Sequence, residues 1–228
     1  MALSAAQVDG LRAMLTGLSG QAKAALADAL AGVDMRDFGQ VRLVLDVLWP
    51  DLVSTFGSAS SAMGALMFEV MADELGVAPT LAPAGPVDIE AAMARMRWAV
   101  GARSLGTLQT LLDELVKQPA RETIADSAHA SGGAWARVPE GRNPCSFCLM
   151  LASRGAVYET SATAGGFGGR EYHGDCECHV AFVRGPEDFP EGYDPGGLSD
   201  LYAEARRRAG SGDPKKILAA LREMTGGG

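Results

Sequence analysis

All four cysteines of this 228-residue chain lie in one short stretch of the sequence, and two of its three histidines, His173 and His179, lie there with them. The cysteines form a C-x2-C pair and a later pair within the pattern H-x2-C-x-C. Cysteines that only fill a hydrophobic core behave like other small apolar residues and have no reason to cluster in pairs. The pattern therefore indicates a shared role for five residues: Cys145, Cys148, His173, Cys176 and Cys178.

Zinc binding is the role that best explains this spacing. Two cysteines three residues apart on a turn can bind one Zn²⁺ together, and a second pair from a distant segment completes a tetrahedron. His173 and Cys176 repeat the spacing of Cys145 and Cys148, and Cys178 is a fifth candidate. In a reducing compartment the pattern favours metal over disulfides, so we predict one structural zinc ion. Two disulfides, or free thiols, are the alternative that an extracellular particle would favour.

The same residues do not complete a familiar catalytic motif. Zinc deaminases share the string Pro-Cys-x-x-Cys but need an upstream H-x-E, whereas His129 is followed by Ala130 and Ser131. The chain has no H-E-x-x-H, and no βαβ pattern surrounds the C-x2-C pair. A cysteine nucleophile stays open, because Cys148 begins a helix whose positive end would favour a thiolate. We expect a structural site and no enzymatic activity.

Apolar spacing predicts a helical domain over residues 1–130. Ser4 is a predicted N-cap, and the first helical segments reach Val33. A further helix begins near Phe38 and is expected to kink or end at Pro50. Residues 52–75 contain the string GSASSAMGALM, whose small side chains predict a helix that packs closely against others.

Proline and cap residues set the boundaries expected in the rest of this domain. The proline-rich residues 77–86 predict an extended connector. Asp88 is a predicted N-cap, and residues 105–116 are predicted to form another helix. Pro119 is expected to start a new helix at its first position. His129, near the end of this domain, is expected at the surface.

A Gly- and Pro-rich composition marks residues 131–195 as a small α+β module, and residues 196–228 as a helical tail. The chain is therefore predicted to be mostly α. Because glycines interrupt the tail, we expect its two short helices to make few contacts with the module. The predicted elements are strands at Trp135–Val138, Ala156–Tyr158 and Glu177–Val183, a helix at Phe147–Ser153 closed by Gly155, a flexible loop at Ala162–Gly169, and tail helices at Leu198–Arg208 and Pro214–Met224.

Charge and hydropathy exclude several classes of protein. The net charge is −8 and the pI is about 4.9, which disfavours a chain that coats nucleic acid without specificity. No apolar run approaches the roughly 18 residues of a membrane span, and the N-terminus has no signal-peptide pattern. The basic run Arg206–Arg208 is expected to be a solvated helix end.

The stretch WARVPEGRNPCSFCLMLASRGAVY, followed by EYHGDCECHV, resembles the Mu-F-like minor head proteins of tailed phages, in the form found in phages of actinobacteria. The segment DFPEGYDP and the tail GSGDPKKILAALRE resemble the same subgroup. The resemblance covers residues 119–228 well, and the helical first half matches in general character.

This resemblance implies a virion protein present in few copies inside the head near the portal, where it assists head assembly, DNA packaging or DNA delivery. The implied partners are the portal protein, the major capsid protein or both, with packaged DNA as a further contact and an oligomer imposed by the particle. The virion, and the host cytoplasm during assembly, are the implied locations. A zinc-dependent nucleic-acid-binding module is the alternative, and a thiol enzyme is a third hypothesis.

Overall fold

The computed structural model describes residues 4–140, 144–156 and 172–226. These residues are mostly helical, as predicted, with one two-stranded antiparallel sheet. The α-helices are α1 (Ala5–Ala29), α2 (Phe38–Leu75), α3 (Ile89–Val100), α4 (Leu105–Ala130), α5 (Ser146–Ala152), α6 (Pro195–Ala209) and α7 (Pro214–Thr225). The strands are β1 (Ala134–Val138) and β2 (His179–Val183), and a short 3-10 helix spans Pro186–Asp188.

Local cap signals are confirmed at several helix starts. The Ser4 hydroxyl accepts a hydrogen bond from the Gln7 N–H (3.4 Å), and the Gln7 side chain accepts one from the Ser4 N–H (2.9 Å). Asp88 and Asp213 cap α3 and α7 as predicted. Helix α1 ends at Ala29, earlier than the predicted Val33, and Gly32 follows with a positive φ of 83°.

Two predicted helix boundaries are wrong: α2 does not end at Pro50 and no helix begins at Pro119, because both prolines lie inside continuous helices. Pro50 lies within α2, where Trp49 and Val53 on either side are fully buried. Pro119 lies within α4, and the N–H of Ala120 after it donates to the Ser60 hydroxyl on α2 (3.2 Å). A proline costs a helix one backbone hydrogen bond and some steric strain, but burial of the surrounding side chains outweighs that cost here.

Helices α2 and α4 pack closely through small residues, as the sequence predicts for residues 52–75. A Cβ atom placed on Gly64 would lie 2.6 Å from the carbonyl oxygen of Ala120 and 2.7 Å from its Cα. Neighbouring Ser60 is fully buried on the same face. The two helix backbones therefore touch at Gly64, and only a residue without a side chain fits there.

The predicted extended connector runs antiparallel to α4. Hydroxyl side chains of α4 and of its C-cap Ser131 accept hydrogen bonds from the connector backbone. Two residues of extended chain span about 6.5 Å, and four residues of an α-helix rise about 6 Å. Every second backbone N–H of the connector can therefore reach a hydroxyl group that recurs every fourth residue along α4. Three such hydrogen bonds form: Thr80 N–H to Ser131 (2.8 Å), Ala82 N–H to Ser127 (2.9 Å) and Ala84 N–H to Thr123 (2.9 Å).

The two strands lie against α2 and α4 and share one hydrophobic core with them. Ala134 pairs with Val183 and Val138 with His179 at the two ends of the ladder. The rings of Phe68 on α2 and Phe182 on β2 have centroids 5.0 Å apart. Strand β2 begins at His179, two residues later than predicted. The small module thus takes part in a core that it shares with the long helices.

The prediction that the tail makes few contacts with the module is wrong. The apolar faces of α6 and α7 pack on α5 around Leu149, Leu151, Ile217 and Leu221. The expected break at Gly196 and Gly197 falls inside the first turn of α6. An Asp194 carboxylate oxygen accepts the Gly197 N–H there (3.0 Å). Sequence spacing shows that these faces are apolar but does not show what covers them.

Two predicted elements fall on residues that the structure does not describe. The expected strand Ala156–Tyr158 begins at a bend at Ala156, and its other two residues lie outside the described ranges. The predicted loop Ala162–Gly169 lies wholly outside them. Gly155 has the predicted positive φ (65°) shortly after α5. No helix in the described part of the chain combines the length and apolar character needed to cross a membrane.

The α2–α4 contact predicts opposite effects of two glycine substitutions. Gly64→Ala should destabilise the protein by about 1–3 kcal/mol, because its methyl group would overlap the α4 backbone. Gly17→Ala is the control at an exposed position of α1, where a Cβ meets nothing within 4 Å. It should leave the stability unchanged or raise it by up to about 1 kcal/mol. Urea denaturation of the two variants measures this, and equal free energies of unfolding would contradict it.

Candidate metal centre

Cys145 and Cys148 lie on the first turn of α5. Cys145 is the N-cap of this helix, and its Sγ accepts a hydrogen bond from the Cys148 N–H (3.3 Å). The C-x2-C spacing therefore places both sulfurs at one helix end. Cys148 is fully buried, whereas Cys145 is partly exposed.

The other three candidates lie on or just after one tight turn. We call residues 172–178 the ligand turn. Its fold depends on two residues between His173 and Cys176: Gly174, whose added Cβ would lie 2.3 Å from the Thr110 carbonyl oxygen, and Asp175, which has a positive φ of 59°. The Cys176 N–H closes the turn on the His173 carbonyl oxygen (3.3 Å).

The structure brings all five predicted ligands together as two overlapping sets of three. The donor atoms of Cys145, Cys148 and His173 lie within 4.8 Å of one another, as do those of Cys148, Cys176 and Cys178. Cys148 belongs to both sets. We call the five residues the Cys/His cluster.

The distances suit a tetrahedral metal site. A zinc–sulfur bond of about 2.3 Å gives tetrahedral donor–donor edges of about 3.8 Å. The Sγ of Cys148 lies 3.5 Å from that of Cys176 and 3.8 Å from the His173 Nε2. The His173 Nε2 is 2.9 Å from the Cys145 Sγ. The 3.5 Å sulfur separation is far longer than the roughly 2.05 Å of a disulfide, and all four cysteines are free thiols.

His173 is oriented as metal-binding histidines commonly are. Its Nδ1 lies 2.7 Å from the carbonyl oxygen of Gly174. A proton on Nδ1 would be donated to that carbonyl, which leaves the Nε2 lone pair directed at the sulfurs. The chemistry and orientation of the donors therefore fit a thiophilic divalent ion such as zinc.

The metal-free cluster distributes its protons unequally. Contact with the Cys148 thiol and with His173 lowers the pKa of Cys145 to about 4, although burial acts the other way. Contacts with neighbouring thiols lower the pKa of Cys176 and raise that of Cys148. For Cys178 the contact with Cys148 acts downward, but Cys176 and burial raise the pKa to about 12. Contact with Cys145 raises the pKa of His173 to about 9. A bound cation would displace the remaining protons.

The other two histidines lie outside the cluster. His179 begins β2 and is buried, with Nδ1 3.5 Å from a Glu140 carboxylate oxygen. Burial lowers the pKa of His179 to about 3, so its ring is neutral and this contact is not an ion pair. His129 is exposed near the end of α4, as predicted.

A row of polar side chains on α4 holds the ligand turn in place. Asp113 accepts the Asp175 N–H (2.9 Å), and the Thr110 hydroxyl donates to the Asp175 carboxylate (2.7 Å). Further along the same row, Arg121 donates to the carbonyl oxygens of Cys176 (2.6 Å) and Cys178 (3.0 Å). The ligand turn is thus fixed to the helices by its backbone.

Asp113 is the centre of a buried charge network. Its carboxylate accepts from the Ser19 hydroxyl (2.6 Å) and pairs with Lys117 (2.9 Å) and Lys23 (3.2 Å). Lys23 also contacts Asp175 (3.2 Å). Burial alone would raise the pKa of Asp113, but these donors and cations outweigh it and hold the pKa below its ordinary value.

Sequence reasoning missed the polar row on α4 and the buried Arg137 on β1. The spacing of Asp113, Lys117 and Arg121 by four residues places them on one helix face, which was a readable signal. Arg137 stands among apolar residues in the strand sequence AWARV. A charged residue at such a position suggests a buried partner.

One protein family, described as VG15 protein, has a model that matches residues 2–205. The match includes helices α1–α5, both strands and the whole Cys/His cluster. No curated protein and no solved structure matches the chain significantly.

The charge network predicts a pH-dependent stability. Asp113→Asn should lower the free energy of unfolding by about 3 kcal/mol at pH 7, because it leaves buried Lys117 without its anion. Since the pKa of Asp113 is lowered by folding, its contribution is present above its ordinary pKa of 3.8 and is lost as the pH falls through the lowered value. The difference between wild type and variant should therefore shrink below about pH 4.

Urea denaturation at a series of pH values measures this difference. Asp28→Asn, at an exposed position on α1, is the control and should have little effect. A difference for Asp113→Asn that stays constant from pH 7 to pH 3 would contradict the role given to the carboxylate.

Proposed function

Because the chain belongs to the VG15 protein family, a family of viral gene proteins that indicates a phage protein, we propose that it is a structural protein of the phage particle. It acts as a minor head protein of the Mu-F-like type, docked on the portal protein, the major capsid protein or both. Its place is inside the head near the portal vertex, and its oligomeric state is imposed by the particle. It assists head assembly, DNA packaging or DNA delivery.

The observation that carries this proposal is the family match, which spans both the helices and the Cys/His cluster. The resemblance of residues 119–228 to Mu-F-like proteins adds the specific place in the head. The net charge of −8 favours docking on a basic protein surface over wrapping DNA. Arg207 and Arg208 are exposed and paired with Glu204 (2.6 and 2.9 Å), which supports the solvated helix end predicted for this basic run.

The Cys/His cluster serves this function as a structural zinc site. Four of its five donors, Cys148 among them, would complete a tetrahedron of the kind found in structural zinc sites, without the open position that a catalytic zinc keeps for water or substrate. A zinc ion there would join the start of α5 to the ligand turn, segments about 25 residues apart. The protein then works by being held in place, and no chemical reaction is assigned to it.

The zinc site predicts a metal content that depends on Cys148. Wild-type protein prepared without chelator should contain one zinc per chain by elemental analysis. Cys148→Ser should contain almost none, because Cys148 belongs to both sets of three donors. Ser199→Ala, at an exposed site on α6, is the control and should keep its zinc. Wild type with well under one zinc per chain would contradict the site.

The particle role predicts that purified virions contain the protein in few copies. Quantitative mass spectrometry of particles should find it at low, fixed stoichiometry. Cys148→Ser should reduce its incorporation by loosening the junction of α5 with the ligand turn, whereas Ser199→Ala should not. Particles that lack the protein entirely, or carry it only outside the head, would contradict the proposal.

DNA binding distinguishes the rival zinc-dependent nucleic-acid-binding module. Under the structural proposal, the purified protein has weak affinity for duplex DNA at physiological salt, and alanine at Arg206, Arg207 and Arg208 leaves incorporation into particles unchanged. Tight DNA binding that these three substitutions abolish would favour the rival.

A further inference from the structure

Two arginines are buried beside the Cys/His cluster. Arg121 on α4 is 3% exposed and Arg137 on β1 is fully buried. Their guanidinium carbons lie 3.9 and 3.7 Å from the centroid of the Tyr172 ring. Both guanidinium groups therefore lie over the Tyr172 ring. We call Arg121 and Arg137 the arginine pair.

Both arginines contact residues of the cluster. One Arg121 nitrogen donates to the carbonyl oxygens of Cys176 and Cys178, at 2.6 and 3.0 Å. An Arg137 nitrogen lies 3.7 Å from the Cys148 Sγ. The two positive charges therefore reach the cluster from two different elements of the fold.

A cation buried as deeply as Arg121 needs a compensating negative charge. Within the described ranges, no carboxylate oxygen lies within 4.0 Å of its guanidinium, and its Nε and Nη1 have no hydrogen-bond partner there. Tyr172 presents the face of its aromatic ring to Arg121 and not a carboxylate. The remaining nearby source of negative charge is the sulfur cluster.

A metal-bound cluster is anionic whichever donors it uses. Because histidine contributes only one of the five candidates, any four of them include at least three thiolates. A divalent ion with three thiolates and one imidazole carries a charge of −1, and one with four thiolates carries −2. Such a centre is itself costly to bury without nearby cations.

We infer that the arginine pair neutralises an anionic metal–thiolate centre and thereby sets the affinity of the site for its metal. This inference rests on the zinc site proposed above. It gives α4 and β1 a role in holding the metal as well as in packing. Arg121 and Arg137 are positioning residues that stabilise the loaded centre without touching the ion. The carbonyl contacts of Arg121 also hold the backbone on both sides of Glu177 in the shape that presents Cys176 and Cys178.

Arg121→Met tests the inference, because methionine keeps the length and apolar volume of the side chain and removes its charge. Zinc affinity is measured by competition with a chromophoric chelator, and the free energy of unfolding is measured with and without zinc. We expect zinc binding about 10- to 100-fold weaker than in wild type. The metal-free protein should lose less stability than the zinc-loaded protein, because both lose the carbonyl hydrogen bonds of Arg121 but only the loaded centre also loses a neutralising charge.

Two control variants make the result specific. Arg121→Lys keeps the charge and should retain most of the zinc affinity. Arg95→Met removes an exposed arginine paired with Glu114 on the helical surface and should bind zinc like wild type.

Four outcomes decide the inference. Weaker zinc binding by Arg121→Met with restored affinity in Arg121→Lys supports it. Unchanged zinc affinity in Arg121→Met overturns it and leaves the zinc site standing. Equal losses of stability with and without zinc assign Arg121 an ordinary packing role and also overturn it. A wild-type protein that binds no zinc overturns the proposed site and this inference together.

Discussion

The position of the ligand turn depends on its contacts with the row of polar side chains on α4. The row begins at Thr110, passes through Asp113 and Lys117, and ends at Arg121. Each member that meets the ligand turn bonds its backbone or the side chain of Asp175. Because Asp113, Lys117 and Arg121 are buried, a displaced turn would leave buried charges without partners, which strongly disfavours alternative positions. A helix far from the cysteines in sequence therefore decides where half of them lie.

Close packing of the helices makes that row possible. Gly64 lets the backbones of α2 and α4 touch, and the connector lies along α4 on a line of hydroxyl groups. The strand pair is then seated on both helices through Phe68 and Phe182. The fold is built outward from α4, which contacts the first helices, the connector, the sheet and the ligand turn.

The Cys/His cluster lies where three separately positioned parts meet. Helix α5 provides Cys145 and Cys148, and is itself covered by the two tail helices. The ligand turn provides His173 and Cys176, and α4 with β1 provides the arginine pair. An ion bound here would connect all of these parts, which suits a phage protein whose proposed task is to keep its shape within a larger assembly.

The sequence by itself determined the features that depend on local chemistry. The paired spacing of the cysteines identified the five candidate ligands, because a C-x2-C pair needs only one helical turn to bring its sulfurs together. Ser4, Asp88 and Asp213 marked helix starts, because a cap bonds amides two or three residues away. The mostly α character followed from apolar spacing in the same way.

Only the tertiary structure decided the features that depend on distant partners. Pro50 and Pro119 are strong local signals for a helix break, yet burial of their neighbours keeps α2 and α4 continuous. The tail helices show apolar faces in the sequence, but the face that covers them belongs to α5, many residues earlier. The roles of Arg121 and Arg137 appear only when α4 and β1 meet around Tyr172. The physical reason is the same in each case: burial energy comes from contacts between segments far apart in the chain, and it outweighs local preference.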